Sequence, residues 1–114
     1  MDELVAQIAA NTGVDAAVAQ KAVAIILKFL AAEGGSDKIQ DLIGMLPGAR
    51  DAVDATPAVS GGVMGAFGAL TAAGLGMGEV QSVTKEFVAF AKSKIGADAV
   101  DEVVASIPGL SQFA

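Results

Sequence analysis

The stretch AAVAQKAVAIILKFLAAE, residues 16–33, would be apolar around nearly its whole circumference as an α-helix. Its large apolar side chains recur at helical spacing, and only Gln20, Lys21 and Lys28 interrupt them. A helix that is apolar nearly all round is usually central and buried. Asp15 is a suitable N-cap at its start. The sequence therefore predicts a long central helix over about 16–33.

The pattern of apolar positions, glycines and helix ends around this helix recurs sixty-one residues later without a gap. The apolar positions 39, 42, 43 and 46 align with 100, 103, 104 and 107, which is the spacing of one helix face in both copies. A repeat defines the building unit of a fold. We predict two similar three-helix halves, about 2–54 and about 60–114, related by an approximate two-fold axis. The matched residues are Gly13 and Gly74, Gln20 and Gln81, Phe29 and Phe90, Gly35 and Gly96, Asp37 and Asp98, and Leu46-Pro47-Gly48 with Ile107-Pro108-Gly109.

Capping and helix-breaking residues place the remaining helices. Gly13 suits the left-handed end of the first helix, and Ser36 suits the N-cap of the third. Pro47-Gly48 ends the third helix, because proline cannot continue the hydrogen-bond ladder. The predicted fold is all-α, a single domain over 1–114 that forms a compact bundle of about six main helices. The predicted helices are 2–12, 16–33, 37–46, 60–73, 78–95 and 98–106, with a short helical turn around 50–53.

The segment 55–78 carries no charge over 24 residues, and seven of them are glycine. Small residues spaced four apart, as in Gly61, Gly65 and Ala69, let helix backbones approach closely. We expect a tight crossing in the core or between subunits, so that Gly65→Leu would disrupt folding or assembly. A loop and a membrane span are the alternatives. The length suffices for a span of about twenty residues, but the glycine content and the absence of Trp and Tyr disfavour it.

The composition is more apolar than a small soluble protein needs. The chain is 54% hydrophobic and 18% charged, with a mean hydropathy of +0.60. This excess indicates a buried partner, which would be a second copy, another protein or an apolar ligand. The net charge of −6 opposes binding to nucleic acid and to anionic lipid. The acidic start Met1-Asp2-Glu3 lacks the positive region of a secretory signal, so we expect a cytoplasmic protein.

The side chains most used in catalysis are missing. The sequence has no His, Cys, Tyr or Trp, and it has no glycine-rich phosphate loop followed by Lys-Ser or Lys-Thr. Acidic residues in the first turns of helices are explained more simply by their favourable interaction with the helix dipole than by metal binding. We expect Arg50 to pair locally with Asp51 or Asp54, and we expect Lys38 and Lys92 to be solvated. The sequence predicts no enzyme, no cofactor and no metal site.

Several short motifs resemble one bacterial family. They are Gly13-Val14-Asp15, Ala19-Gln20, Gly34-Gly35, Leu42-Ile43, Leu46-Pro47-Gly48-Ala49 and Gly74-Leu75-Gly76-Met77. This pattern is similar to the VcgC/VcgE-like domains of unknown function. A related helical group with paired units that end in Leu-Pro is the second candidate. Either resemblance implies a small all-helical bacterial protein, and neither carries catalytic residues to this chain.

Three functions remain open from the sequence. The first is a non-catalytic helical module that self-associates as a homo-oligomer or binds a partner protein. The second is a carrier of a lipid or another apolar molecule, held between the two halves. The third is membrane association through 55–78. The candidate contact surface or pocket comprises Gly61, Met64, Gly65, Phe67, Gly68, Ala69, Phe87 and Phe90.

Overall fold

Residues 1–33, 37–107 and 109 are the part of the chain that the computed structural model describes. Within these residues the chain forms seven α-helices and no strand, which confirms the all-α prediction. The predicted Ser36 cap and the repeat residues Gly35 and Pro108 lie outside the described part. The helices are α1 (Asp2–Thr12), α2 (Ala16–Glu33), α3 (Asp37–Met45), α4 (Ala49–Ala55), α5 (Gly62–Ala72), α6 (Met77–Ile95) and α7 (Ala97–Ser106).

The first helix boundaries follow the predicted capping chemistry. Gly13 ends α1 in the left-handed region at φ 75°, where a side chain would be strained, and its N–H donates to the Ala9 carbonyl at 3.0 Å. The Asp15 carboxylate accepts a hydrogen bond from the Ala17 N–H at 2.8 Å, so the N-cap of α2 is confirmed. Past Pro47, the predicted short turn is a two-turn helix, α4.

Two long helices, α2 and α6, form the centre of the bundle. Helix α2 packs against α1, α3, α4, α5 and α6, which confirms its predicted central position. Every buried position of α6 has a buried counterpart sixty-one residues earlier in α2. Helix α2 buries two more residues, Ala24 and Leu27, whose counterparts are the exposed Lys85 and the half-buried Val88. The two-fold relation between the halves stays a prediction.

The opening helix of each half packs on the long helix of the other half. Helix α1 packs on α6 as well as on α2, and α5 packs on α2 as well as on α6. Gln7 and Asn11 of α1 donate to the Glu86 carboxylate of α6 at 3.4 and 3.1 Å. The Cα radius of gyration is 12.4 Å, close to the roughly 13 Å expected for a domain of this length. The interlocked helices therefore form one compact body.

The surface charges pair differently from the prediction. Lys38 forms an ion pair with Glu102, and the Lys92 Nζ lies 3.7 Å from the Asp101 Oδ1, so both connect α7 to its neighbours. Exposed pairs of this kind contribute about 0–1 kcal/mol. The predicted local ion pair of Arg50 is wrong. Its guanidinium donates to the Gln40 side-chain oxygen at 2.5 Å, and no ion pair of Arg50 occurs among the described residues.

Candidate functional site

An apolar cavity of about 60 Å³ lies between α2, α3, α5, α6 and α7. Among the described residues, eighteen side chains line it; seventeen of these are apolar, one is a threonine, and none is charged. Representative lining residues are Ile26 of α2, Leu42 of α3, Ala66 and Phe67 of α5, Phe87 of α6 and Val103 of α7. Walls of this composition favour an apolar ligand, and they provide no opposite charge to balance a bound ion.

The cavity lies where the second half lacks large side chains. At the repeat offset, the buried Leu4 and Ile8 of α1 align with Gly65 and Ala69 of α5. The third buried residue of α1, Val5, aligns with Ala66, which lines the cavity. Of these three α5 residues only Ala66 lines the cavity. Protein interiors are otherwise close-packed, so its small side chain leaves space beside α5.

The cavity reaches toward the surface beside α5. Five of its lining residues are only half-buried. They are Val63 and Phe67 on α5, Val88 and Ile95 on α6, and Val104 on α7. Helices α5 and α7 are not among the closely packed helix pairs. The partly exposed apolar rim and the loose α5–α7 contact together make this the accessible side of the cavity.

The structure brings only two of the eight sequence-predicted site residues to the cavity. Phe67 and Phe87 line it. Phe90 is buried outside the lining, and the Lys94 ammonium lies 5.2 Å from its ring centroid. The other five lie on α5 or at its N-cap and do not line the cavity. Of these, Gly61, Met64 and Gly68 are exposed, and Gly65 and Ala69 are half-buried.

The predicted tight helix crossing within the fold is wrong. A Cβ added at Gly65 would overlap the Ser60 carbonyl oxygen, which belongs to the backbone just before α5. A Cβ at Gly68 would meet nothing within 4 Å. A Cβ added at Gly61 would meet the Gly65 backbone at 3.5 Å, which is ordinary van der Waals contact within the same segment. These glycines therefore shape the start of α5, and a crossing between two copies stays a prediction.

Sequence reasoning missed Ala66 and Thr84. Ala66 was not separable from the other alanines of the chain by pattern alone. Thr84 did carry a signal, because it lies four residues after Val80 and three before Phe87, on the apolar face of α6. A polar residue on the apolar face of a helix is a better indicator of a site than one on the solvent-exposed face.

A second depression lies between α2, α4 and the residues that follow α4. It encloses about 560 Å³ but is shallow and open to solvent. Its floor is made largely of alanine, with Ile25, and its edge carries Gln20 and Lys21. The first cavity is smaller but enclosed by apolar walls, and enclosure is what removes a ligand from water. The first cavity is therefore the better candidate site.

The described residues contain neither a candidate metal site nor a single helix suited to span a membrane. Over the described residues, no group of three or more acidic side chains is arranged to hold a metal ion. No single described helix has both the length and the apolar composition to cross a bilayer. Helices α5 and α6 meet that criterion only as a pair, and the chain bends by 110° between them.

Comparisons of the chain with protein-family models, curated proteins and solved structures find no match. The similarity to the VcgC/VcgE-like domains stays a prediction.

Proposed function

We propose that this protein binds an apolar small molecule reversibly in the cavity between α2, α3, α5, α6 and α7, without catalysing a reaction on it. The observation that carries this proposal is the lining, whose described residues include seventeen apolar side chains and no charged one. Its position between the halves is the one expected for a carrier of a lipid or another apolar molecule. The apolar excess of the composition supports the same function.

The size of the cavity implies that one wall moves when a ligand binds. Sites for drug-sized ligands measure roughly 300–1,000 Å³, whereas this cavity measures about 60 Å³. Helices α5 and α7 are the walls with the fewest buried residues, which are Ala66 and Leu70 on α5 and Val100 and Val103 on α7. We assign the movement to α5, because Ala66 is the smallest of these four side chains. Gly61 before it, Gly62 at its first position and Gly74 after it have positive φ, so they permit backbone changes at both ends. Outward displacement of α5 would enlarge the site.

The proposal is tested by filling the cavity. Ala66→Leu adds three carbon atoms to a lining residue, and Ala72→Leu adds the same atoms to an exposed position of the same helix. Binding of the uncharged dye N-phenyl-1-naphthylamine is followed by fluorescence titration. Each methylene group denied burial costs about 0.8 kcal/mol, so we expect Ala66→Leu to weaken binding about tenfold or more. Ala72→Leu should bind like the wild type.

Circular dichroism and thermal unfolding show whether both leucine variants keep the fold. Native mass spectrometry of the purified protein adds an independent readout, in which a co-purified apolar molecule would appear as a removable mass. No dye binding by the wild type would contradict the proposal. Equal binding by a folded Ala66→Leu variant would also contradict it, because the dye would then lie elsewhere.

Self-association through α5 is the second candidate function. Met64 on α5 and Met77 at the start of α6 are 72% and 74% exposed. The surrounding segment, 55–78, is free of charge in a chain of net charge −6. Two acidic copies repel each other least where neither carries charge, so this surface fits a second copy of the chain. Methionine suits such a contact because its side chain adapts to irregular surfaces.

Light scattering behind size exclusion tests the second candidate. Met64→Lys should shift any dimer toward monomer, because the ammonium loses water at a contact without a counter-charge. Met45→Lys is the matched control, since Met45 is 51% exposed on α3, away from 55–78. A wild-type monomer at all accessible concentrations, or equal effects of the two lysines, would contradict this assignment.

A further inference from the structure

Of the described residues that line the apolar cavity, Thr84 is the one with a polar side chain. It lies on α6 and is 7% exposed, and it is the one polar or charged residue among the fully buried described residues. At the repeat offset its counterpart in α2 is Val23, which is fully buried. Valine fills the same volume as threonine without a hydroxyl, so volume alone does not account for the threonine.

The Thr84 hydroxyl differs from those of the other three threonines. Thr12, Thr56 and Thr71 each donate to the carbonyl oxygen four residues earlier, at 2.6, 2.7 and 2.9 Å. This bond is the usual way for a helical threonine to satisfy its hydroxyl. No hydrogen bond of the Thr84 hydroxyl occurs among the described residues.

The Thr84 oxygen also keeps some accessible surface. In the described part of the chain, no side-chain oxygen or nitrogen is both completely enclosed and without a hydrogen-bond partner. Since Thr84 has no partner, its oxygen is not completely enclosed, and the residue borders the cavity. A hydroxyl that keeps some accessible surface, belongs to a residue bordering a cavity and has no partner among the described residues is available to a bound molecule.

We infer that Thr84 sets the specificity of the cavity by pairing with one uncharged oxygen of the ligand, and this inference rests on the proposed function. The ligand class is an apolar chain or ring with a single ketone, ester or alcohol oxygen. A hydroxyl both donates and accepts, so it matches each of these groups. A carboxylate placed deep in the cavity does not fit, because none of the described lining residues is cationic.

Two matched ligands and two variants test the inference. Nonane and 2-nonanone have the same chain length, and the ketone adds one oxygen. Each displaces N-phenyl-1-naphthylamine from the wild type, Thr84→Val and Thr84→Ser. A neutral hydrogen bond corresponds to about a fivefold change in affinity, so Thr84→Val should weaken 2-nonanone about fivefold. The affinity for nonane should be unchanged or higher, and Thr84→Ser should keep the preference for the ketone.

The possible outcomes separate this inference from the proposed function. If the dye binds and Thr84→Val changes both ligands equally or neither, the inference is overturned and the apolar site stands. If the dye and both ligands fail to bind the wild type, the proposed function fails and the inference fails with it. Thermal unfolding provides the folding control, and Thr84→Val should melt at or above the wild-type temperature, because valine removes a buried unpaired hydroxyl.

Discussion

Helices α1 and α5 are the first helices of the two predicted halves, and they differ in how many large side chains each buries in the core. Each has eleven residues. Helix α1 buries Leu4, Val5 and Ile8, with exposures of 0%, 8% and 0%. Helix α5 buries only Ala66 and Leu70. The same place in the predicted repeat is therefore filled by large aliphatic side chains in one half and mainly by small residues in the other.

Because of this difference in burial, the two helices contribute differently to the stability of the fold. Large buried side chains make many dispersion contacts and lose much apolar surface from water, so they fix α1 to α6 and α2. Small side chains leave α5 with few such contacts and leave space beside it. A helix with little burial belongs to the part of a fold that opens most easily. In this protein α1 anchors the bundle, while α5 serves as the wall of the cavity.

The largest expected effect is the loss of stability when a buried leucine of α1 or of α5 is shortened to alanine. Leu4→Ala should lower the free energy of unfolding by about 3–4 kcal/mol, because a close-packed site is left with a void. Leu70→Ala should cost about 2 kcal/mol, since Leu70 already borders empty space and loses fewer contacts. It should also tighten dye binding by enlarging the cavity. Urea denaturation and dye titration measure these values, and equal losses from the two variants would contradict the comparison.

The next effect tests the start of α5. Gly65→Ala should lower the free energy of unfolding by about 2 kcal/mol, because the new Cβ would overlap the Ser60 carbonyl and displace the first turn. Gly65→Leu should be worse for the same local reason. A Gly65→Ala variant of wild-type stability would show that the turn rearranges freely. If the variant lost stability only at concentrations where the wild type dimerises, the constraint would instead be a contact between copies.

The helix boundaries could be predicted because local chemistry sets them. The predicted limits of α1 and α2 agree with the structure, and those of the other main helices differ by one or two residues. Gly13 and Asp15 act within one or two residues of their positions in the chain, so their roles depend little on the tertiary fold. The central position of α2 follows equally directly from its lack of a wet face.

The cavity could not be predicted, because it depends on how five helices meet. The sequence marked Gly65 as a packing residue, but spacing alone does not show whether its neighbour is another helix or the preceding backbone. Arg50 was paired with nearby acids, whereas the angle between α3 and α4 brings Gln40 to it. Phe67 and Phe87 were identified as aromatic candidates, but that both line one cavity, together with the small Ala66, depends on how α5 and α6 pack. Empty spaces of this kind are properties of the packed fold and not of the sequence pattern.

A smaller effect should strengthen α5 without touching the cavity. Gly68 is exposed in mid-helix, and an added Cβ meets nothing within 4 Å. Gly68→Ala should therefore raise the free energy of unfolding by about 0.5–1 kcal/mol through helix propensity. If α5 moves to admit ligand, the same change should slow amide exchange in α5 and slow dye association. Exchange measured by NMR and stopped-flow fluorescence would report this, and a faster dye association would contradict the role of α5.

The smallest expected effect concerns the polar contacts of α1. The Glu86 carboxylate accepts from Gln7 and Asn11 at 3.4 and 3.1 Å, in a partly exposed position. Glu86→Ala should cost about 0.5–1 kcal/mol, and Glu86→Gln should cost less because one side-chain oxygen acceptor remains. Urea denaturation of both variants beside Leu4→Ala would rank the contributions. A loss from Glu86→Ala as large as that from Leu4→Ala would mean that polar contacts anchor α1, and the contrast with α5 would then be one of hydrogen bonding. We expect the aliphatic truncation to dominate, because what α5 lacks at Gly65 and Ala69 is volume.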